Sequence, residues 1–299
     1  MNQRNTAATY LVIGAGGAQG GAVARELARR GMRVRGFGRR RETALAGAEW
    51  VGGDLADAGA VAEAFTGVTR ASVTLPLTAD VATSATWVRN VVAAAAEARL
   101  ERLVFNTSNR VPAEPTAVEI FESRRHAASA MLDADVPVVV LRPPVYLENL
   151  LAPGVIGVSS GGSVTLSYPL AADRRVAWLS HDDLAAITVA TFHADDLVDA
   201  TVDIGGTSVA TGPELAAAFS AVRNTDVTYH ALPADVFEQG LASAMGPVTA
   251  SRVASTYRWL DETGTDLYDG DPEVVAQTFG ISPTPLRDWI ATHTRSCHE

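Results

Sequence analysis

Gly14, Gly17 and Gly20 stand three residues apart within VIGAGGAQGGAV (12–23), with further glycines at 16 and 21. They follow the apolar run TYLVI and precede AVARELARR, in which Val23, Ala24, Leu27 and Ala28 fall on one helical face and Gly31 closes the helix. A strand–turn–helix of this kind needs glycine for three reasons. The turn takes positive φ, a backbone must come close to a pyrophosphate, and the helix must pack tightly on the strand. The amides at the helix start, Ala18 and Gln19, then face the anion, with Gly16 in the same turn. The chemistry is that of holding a dinucleotide.

The end of the second apolar run decides which dinucleotide. A carboxylate there would take the ribose 2′-hydroxyl of NAD. The segment instead reads GFGRRRE, with no acid before Arg39, Arg40 and Arg41. These arginines suit a 2′-phosphate, which points to NADP(H). Arg39, nearest the strand end, is the first choice and Arg40 the second. A solvated turn is the alternative, and Glu42 is a late candidate for the opposite role. In GGDLAD, Asp54 can accept from an adenine amino group with the backbone of Leu55 beside it, or it can close an Asx turn. Thr74 and Leu75 end the fourth run. Asn106 and Thr107, followed by Ser108, end the fifth, at the carboxyl edge where doubly wound sheets bind ligands.

The chain contains no lysine; all 24 basic residues are arginine. An arginine does not deprotonate in a protein, so a lysine base or Schiff base is excluded. The histidines lack metal-ligand spacing, and the single Cys297 supports neither a disulfide framework nor a cysteine cluster; no metal is expected.

These residues need a frame. Through residue 109, short apolar strands (TYLVIG, MRVRGFG, AEWVGG, ASVTLPL, RLVFNTS) alternate with helical stretches near 20–30, 57–66 and 85–99. A helix over 118–133 and the strand VPVVVLRPP follow. The pattern is that of an α/β protein with a doubly wound parallel Rossmann sheet. Residues 150–175, rich in Gly, Ser and Pro, read as loop. Ser180 with Asp183, and Thr211 with Glu214, form candidate capping boxes, and the chain beyond 234 reads as mostly helical. The expected division is a Rossmann domain over 1–150 and a smaller, mostly helical substrate lobe over 151–299, with 175–206 returning to the main sheet.

GAGGAQGGAVARELARRG, VRGFGRR, GDL, RPPVYLENLL and the tail motifs IGGTSVATGPELA and SPTPLRDWI together resemble the NmrA-like group of atypical short-chain dehydrogenases over nearly the whole chain. The resemblance implies NADP(H) binding and places Tyr146 and Asn149, the Tyr-x-x-Asn pair after RPP, near the nicotinamide half. It also implies one of two activities: a quinone or isoflavone-type reductase, or an NADP(H)-sensing regulator. The Tyr-x-x-x-Lys pair of typical short-chain dehydrogenases is absent. Arg124 stands where many relatives keep a lysine, so it can hydrogen-bond as a fixed cation but cannot shuttle a proton. His126 points away from it on a helix and reads as a surface residue. Tyr146 and Arg124 are therefore the candidate catalytic residues, and Arg124 is also a candidate for the cofactor. Without a lysine, a quinone or other conjugated acceptor is favoured over a simple ketone, because hydride transfer to it leaves a more stable anion.

The net charge of −10 argues against direct nucleic-acid binding. No apolar run is long enough for a membrane span, and no signal peptide is expected at the start, so the expected compartment is the cytoplasm. The expected partners are a small apolar or aromatic substrate and either a second copy or a regulatory protein.

Overall fold

A computed structural model describes residues 8–39, 48–77, 80–158 and 162–293. It divides into two compact units of similar length. The first comprises residues up to 108, 123–142 and 184–202; the second comprises 109–122, 143–183 and 203–299. The chain thus passes between the units more often than a single break at residue 150 provides.

The chain begins with β1 (Thr9–Ile13), α1 (Ala18–Arg29), β2 (Arg33–Gly38), β3 (Glu49–Gly52), α2 (Ala58–Phe65), β4 (Arg70–Thr74), α3 (Val81–Ala98), β5 (Arg102–Asn106), α4 (Glu119–Leu132) and β6 (Val138–Arg142). The chain continues with β7 (Ile156–Val158), β8 (Val164–Tyr168), β9 (Val176–Ala177), α5 (His181–Thr191) and β10 (Ala200–Asp203). Among the described residues seven strands form one sheet in the order β10-β6-β5-β4-β1-β2-β3. The pairs from β3 through β6 are parallel. The order reverses between β1 and β4, where open α/β sheets form their ligand crevice.

Local sequence explains these elements. β1 and β5 are buried at every residue, as strands covered on both faces require. Val23, Ala24 and Leu27 of α1 are buried, and Gly31 takes φ +72° just past the helix end. Asp57 caps α2 by accepting the amides of Gly59 and Ala60 at 2.9 and 3.1 Å. Asp80 caps α3 through the amide of Thr83 at 2.8 Å, so this helix starts four residues before the expected 85. Leu11, Ile13, Phe37, Phe65, Val73, Leu103, Phe105 and Val140 belong to the core beneath these helices. Burying each such side chain contributes about 1.5–3 kcal/mol.

The second unit also carries β11 (Val209–Ala210), α6 (Gly212–Arg223), β12 (Val227–Ala231), α7 (Ala234–Met245), α8 (Pro247–Thr263), α9 (Val274–Phe279) and α10 (Leu286–His293). Of the two expected capping boxes the one at Thr211 forms in full, and Ser180 caps α5 through its hydroxyl. Ser180 Oγ accepts the Asp183 amide at 3.0 Å and donates to its carboxylate at 2.6 Å. Thr211 and Glu214 cap α6 reciprocally. The loop expected over 150–175 is a correction: it holds β7 and β8, and β8 pairs with both β7 and β12 in a three-stranded sheet. The signal was present, since VTLSY alternates buried and half-buried residues at period two. The segment 175–206 divides: β10 joins the main sheet, whereas β9 pairs with β11. Tyr168, Trp178, Phe219, Tyr257, Leu260 and Trp289 form the core of this unit.

Candidate functional site

The first unit carries a cleft of about 490 Å³ at the carboxyl ends of its strands. Gly14, Gly16, Gly17, Ala18, Gln19 and Gly20 form one wall. Two of these glycines are required by contact. Gly14 has φ +83°, and a Cβ there would sit 2.7 Å from the Thr74 carbonyl oxygen. A Cβ on Gly20 would lie 2.4 Å from the carbonyl oxygen of Gly14. The turn is therefore pressed both onto β4 and under the first turn of α1. Gly17 precedes that helix in extended conformation, its amide donating to Gly14 O at 2.9 Å. The first turn of α1 carries no acidic residue, so the positive end of the helix dipole is not neutralised by its own side chains.

Arg39, directly after β2, is exposed and lines the cleft. Arg40, Arg41 and Glu42 lie outside the described residues. Asp54 and Leu55 line the cleft after β3. Asp54 also makes the Asx turn left open by the sequence, with Oδ1 accepting the Ala56 amide at 2.9 Å. Thr74 and Leu75 line it after β4.

Beneath the cleft-lining residues, Asn106 is buried at the end of β5. Its Nδ2 donates to Gln19 Oε1 at 2.7 Å, and its Oδ1 accepts the amide of Ser108 at 2.8 Å. Ser108 lines the cleft and holds φ +64°, a left-handed conformation unusual for a residue with a Cβ. Thr107 is fully buried and its hydroxyl donates to Leu141 O at 3.2 Å, toward β6. Arg124 is not on a solvated helix face; it is 2% exposed, and Nη2 donates to the carbonyls of Leu75 and Pro76 at 3.0 Å each. His126 is exposed, as expected.

The cleft also has an apolar wall that sequence reasoning missed: Phe37, Pro76, Leu77 and Trp87. Pro76 and Leu77 follow the carboxyl end of a central strand, and that position was their available signal.

Tyr146 and Asn149 belong to the second unit. Tyr146 is buried and precedes a 3-10 turn over Leu147–Leu151. Its ring lies over that of His181, with centroids 4.6 Å apart. The amide of His181 donates to Glu148 Oε1 at 3.0 Å, and burial raises the Glu148 carboxyl above the usual carboxylate range. Asn149 Nδ2 donates to the Tyr168 hydroxyl at 3.2 Å, which in turn lies 2.9 Å from the Tyr257 hydroxyl. Burial pushes both tyrosines upward, so this pair is neutral at ordinary pH. Trp178 and Tyr257 are core residues, and Phe237 packs on Tyr168 and Tyr257.

Among the described residues no group of three or more His, Cys, Asp or Glu is placed to hold a metal ion, and no helix is long and apolar enough to cross a membrane.

No curated protein sequence matches the chain. Solved structures do. An NADPH-dependent quinone oxidoreductase from Escherichia coli, complexed with NADPH, is 20% identical over 96% of this chain and 100% of its own, with a TM-score of 0.74. A triphenylmethane reductase from Citrobacter sp., complexed with NADP(H), is 19% identical over 95% and 99%, with a TM-score of 0.75. NmrA, a negative transcriptional regulator in complex with NADP, is 14% identical over 97% and 96%, with a TM-score of 0.76. At these identities the likeness is one of fold. The model of the NmrA-like family matches residues 6–290, and the chain belongs to that family.

Proposed function

We propose that the chain binds NADP(H) and reduces a quinone or another conjugated aromatic acceptor. The observation that carries the cofactor reading is the glycine cradle. Gly14 and Gly20 leave no room for a Cβ, the start of α1 opens onto the same cleft, and Arg39 stands exposed at the end of β2. A pyrophosphate would take the amides of Gly16, Ala18 and Gln19, with Gly17 bordering it while its own amide is held by Gly14 O. Arg39, with Arg40 after it, would pair with a 2′-phosphate. Asp54 and Leu55 would meet the adenine, and Thr74, Leu75 and Asn106 would border the nicotinamide half. Thr107 and Arg124 would support that border from behind, since the Thr107 hydroxyl and the Arg124 guanidinium donate to backbone carbonyls.

NADPH, when bound, supplies a hydride. The chain's part is to hold a flat acceptor against it and exclude water, which for a conjugated acceptor is sufficient through proximity. Tyr146 is the proposed proton donor and Asn149 its companion, on the family pattern. The apolar wall of Phe37, Leu77 and Trp87 and the absence of lysine both favour a conjugated acceptor over a simple ketone. The quinone and dye reductases among the similar structures agree with this reading.

A second reading is a non-catalytic NADP(H) sensor. The engagement of Arg124 with backbone favours it, because this candidate catalytic cation donates to the carbonyls of Leu75 and Pro76. The test is to add NADPH and a quinone panel to the purified full-length chain and follow the nicotinamide absorbance. Protein-dependent oxidation of NADPH is the expected result. Tight NADPH binding without oxidation across the panel selects the sensor, and absence of NADPH binding overturns both.

A further inference from the structure

Among the described residues, the segment that forms one lip of the cleft has no sheet partner. The ladder between β4 and β1 ends at Val73, and that between β4 and β5 ends at Thr74. Beyond it, Leu75, Pro76 and Leu77 line the cleft, and Pro76 has no amide hydrogen with which to pair. Their carbonyls still require donors. Arg124 provides them: one guanidinium nitrogen donates to Leu75 O and to Pro76 O, each at 3.0 Å, from a buried position on α4. The residue before this pair, Thr74, is the one whose carbonyl presses on Gly14. The lip thus continues directly from the strand end whose carbonyl oxygen fills the place a Cβ on Gly14 would need.

We propose that Arg124 is a positioning residue of the cofactor cleft: it fixes the Leu75–Pro76 backbone and thereby sets NADP(H) affinity, without acting on the reacting atoms. This rests on the NADP(H) reading above and not on turnover. Arginine suits the task for two reasons. Its charge is permanent, so the clamp does not release with pH, and its planar head loses little freedom when it bonds two adjacent oxygens. A charge-assisted donor also holds carbonyls about twice as firmly as a neutral one.

The test compares the full-length wild type with Arg124→Ala, Arg124→Met and Arg124→Lys. NADPH dissociation constants are measured by nicotinamide fluorescence, kcat and KM with a quinone at saturating NADPH, and melting temperature alongside. Arg124→Ala and Arg124→Met are expected to weaken NADPH about tenfold or more. Arg124→Lys recovers part of the loss, and added guanidinium restores affinity to Arg124→Ala. At saturating NADPH the loss in affinity is expected to exceed any loss in kcat. Unchanged affinity in Arg124→Met overturns the proposal, as does a collapse of kcat at unchanged affinity, which would place Arg124 in the chemistry. Should Arg124→Ala not fold, the Met and Lys variants make the same comparison. If turnover is absent in wild type, the affinity and rescue arms decide alone. Failure of the wild type to bind NADPH is a failure of the cofactor reading, distinct from equal binding by wild type and variants.

Discussion

Asn106 joins the end of β5 to the first turn of α1, donating to Gln19 Oε1 at 2.7 Å while accepting the Ser108 amide at 2.8 Å. The Ser108 amide fixes which end of the Asn106 amide is oxygen, so the nitrogen must face Gln19. One buried side chain thus holds a cleft-lining residue of the helix and a cleft-lining residue in left-handed conformation. Asn106→Leu removes both bonds in a buried site and is expected to lower stability by about 1–3 kcal/mol, read from urea unfolding. Gln19→Leu removes one of them and should cost less. Equal costs would mean that the Ser108 bond carries nothing.

The glycine turn makes a sharper demand. Alanine at Gly14 combines φ +83° with a 2.7 Å approach to Thr74 O; alanine at Gly20 meets Gly14 O at 2.4 Å. Backbone cannot yield as a side-chain tip does. Each substitution is expected to cost about 1–3 kcal/mol and to abolish NADPH binding. Gly52→Ala is the control, because nothing lies within 4 Å of its Cβ position. Thermal unfolding with and without NADPH separates the three. A Gly20→Ala protein that melts and binds like wild type would remove the contact argument.

The sequence was most legible where one residue type does one job. Glycines at a strand–helix junction, a hydroxyl before a helix with an acid three residues on, and continuous apolar strands each announce a local conformation, and Gly14, Thr211 and β1 bear this out. Arginine announced nothing reliable. Arg35, Arg110, Arg124 and Arg174 are buried and donate to backbone carbonyls from segments far along the chain. Such partners depend on tertiary placement, which no local spacing encodes. The same holds for Asn149, whose amide meets Tyr168, and for the strands β7 and β8, whose glycine-rich flanks outweighed the alternation within VTLSY.

Cofactor choice turns on Arg39. It is exposed at the cleft, so its substitution should leave the fold intact. Loss of one charge-assisted contact to a 2′-phosphate is expected to weaken NADPH about 10- to 100-fold while NADH binding is unchanged. Arg40→Ala, measured beside it, tests the second arginine of the run. Equal affinity for NADPH and NADH in wild type, unaltered in Arg39→Ala, would sink the 2′-phosphate assignment.

Glu148 gives the second unit a pH dependence whose sign can be worked out. Burial raises its carboxyl above the usual range, and the amide of His181, 3.0 Å away, offsets this only in part. The folded chain therefore holds this proton more tightly than the unfolded chain does. The stability it contributes is full below the usual carboxylate range and is lost as pH rises through the raised value. Glu148→Gln keeps an oxygen for the His181 amide but carries no charge. The melting temperature of Glu148→Gln relative to wild type should therefore become more favourable as pH rises from about 4 to about 7. His181 Nδ1 lies 3.6 Å from the other Glu148 oxygen, and a charged imidazole there would work in the opposite direction. A relative melting temperature that instead falls over this interval would show that the ion pair outweighs burial.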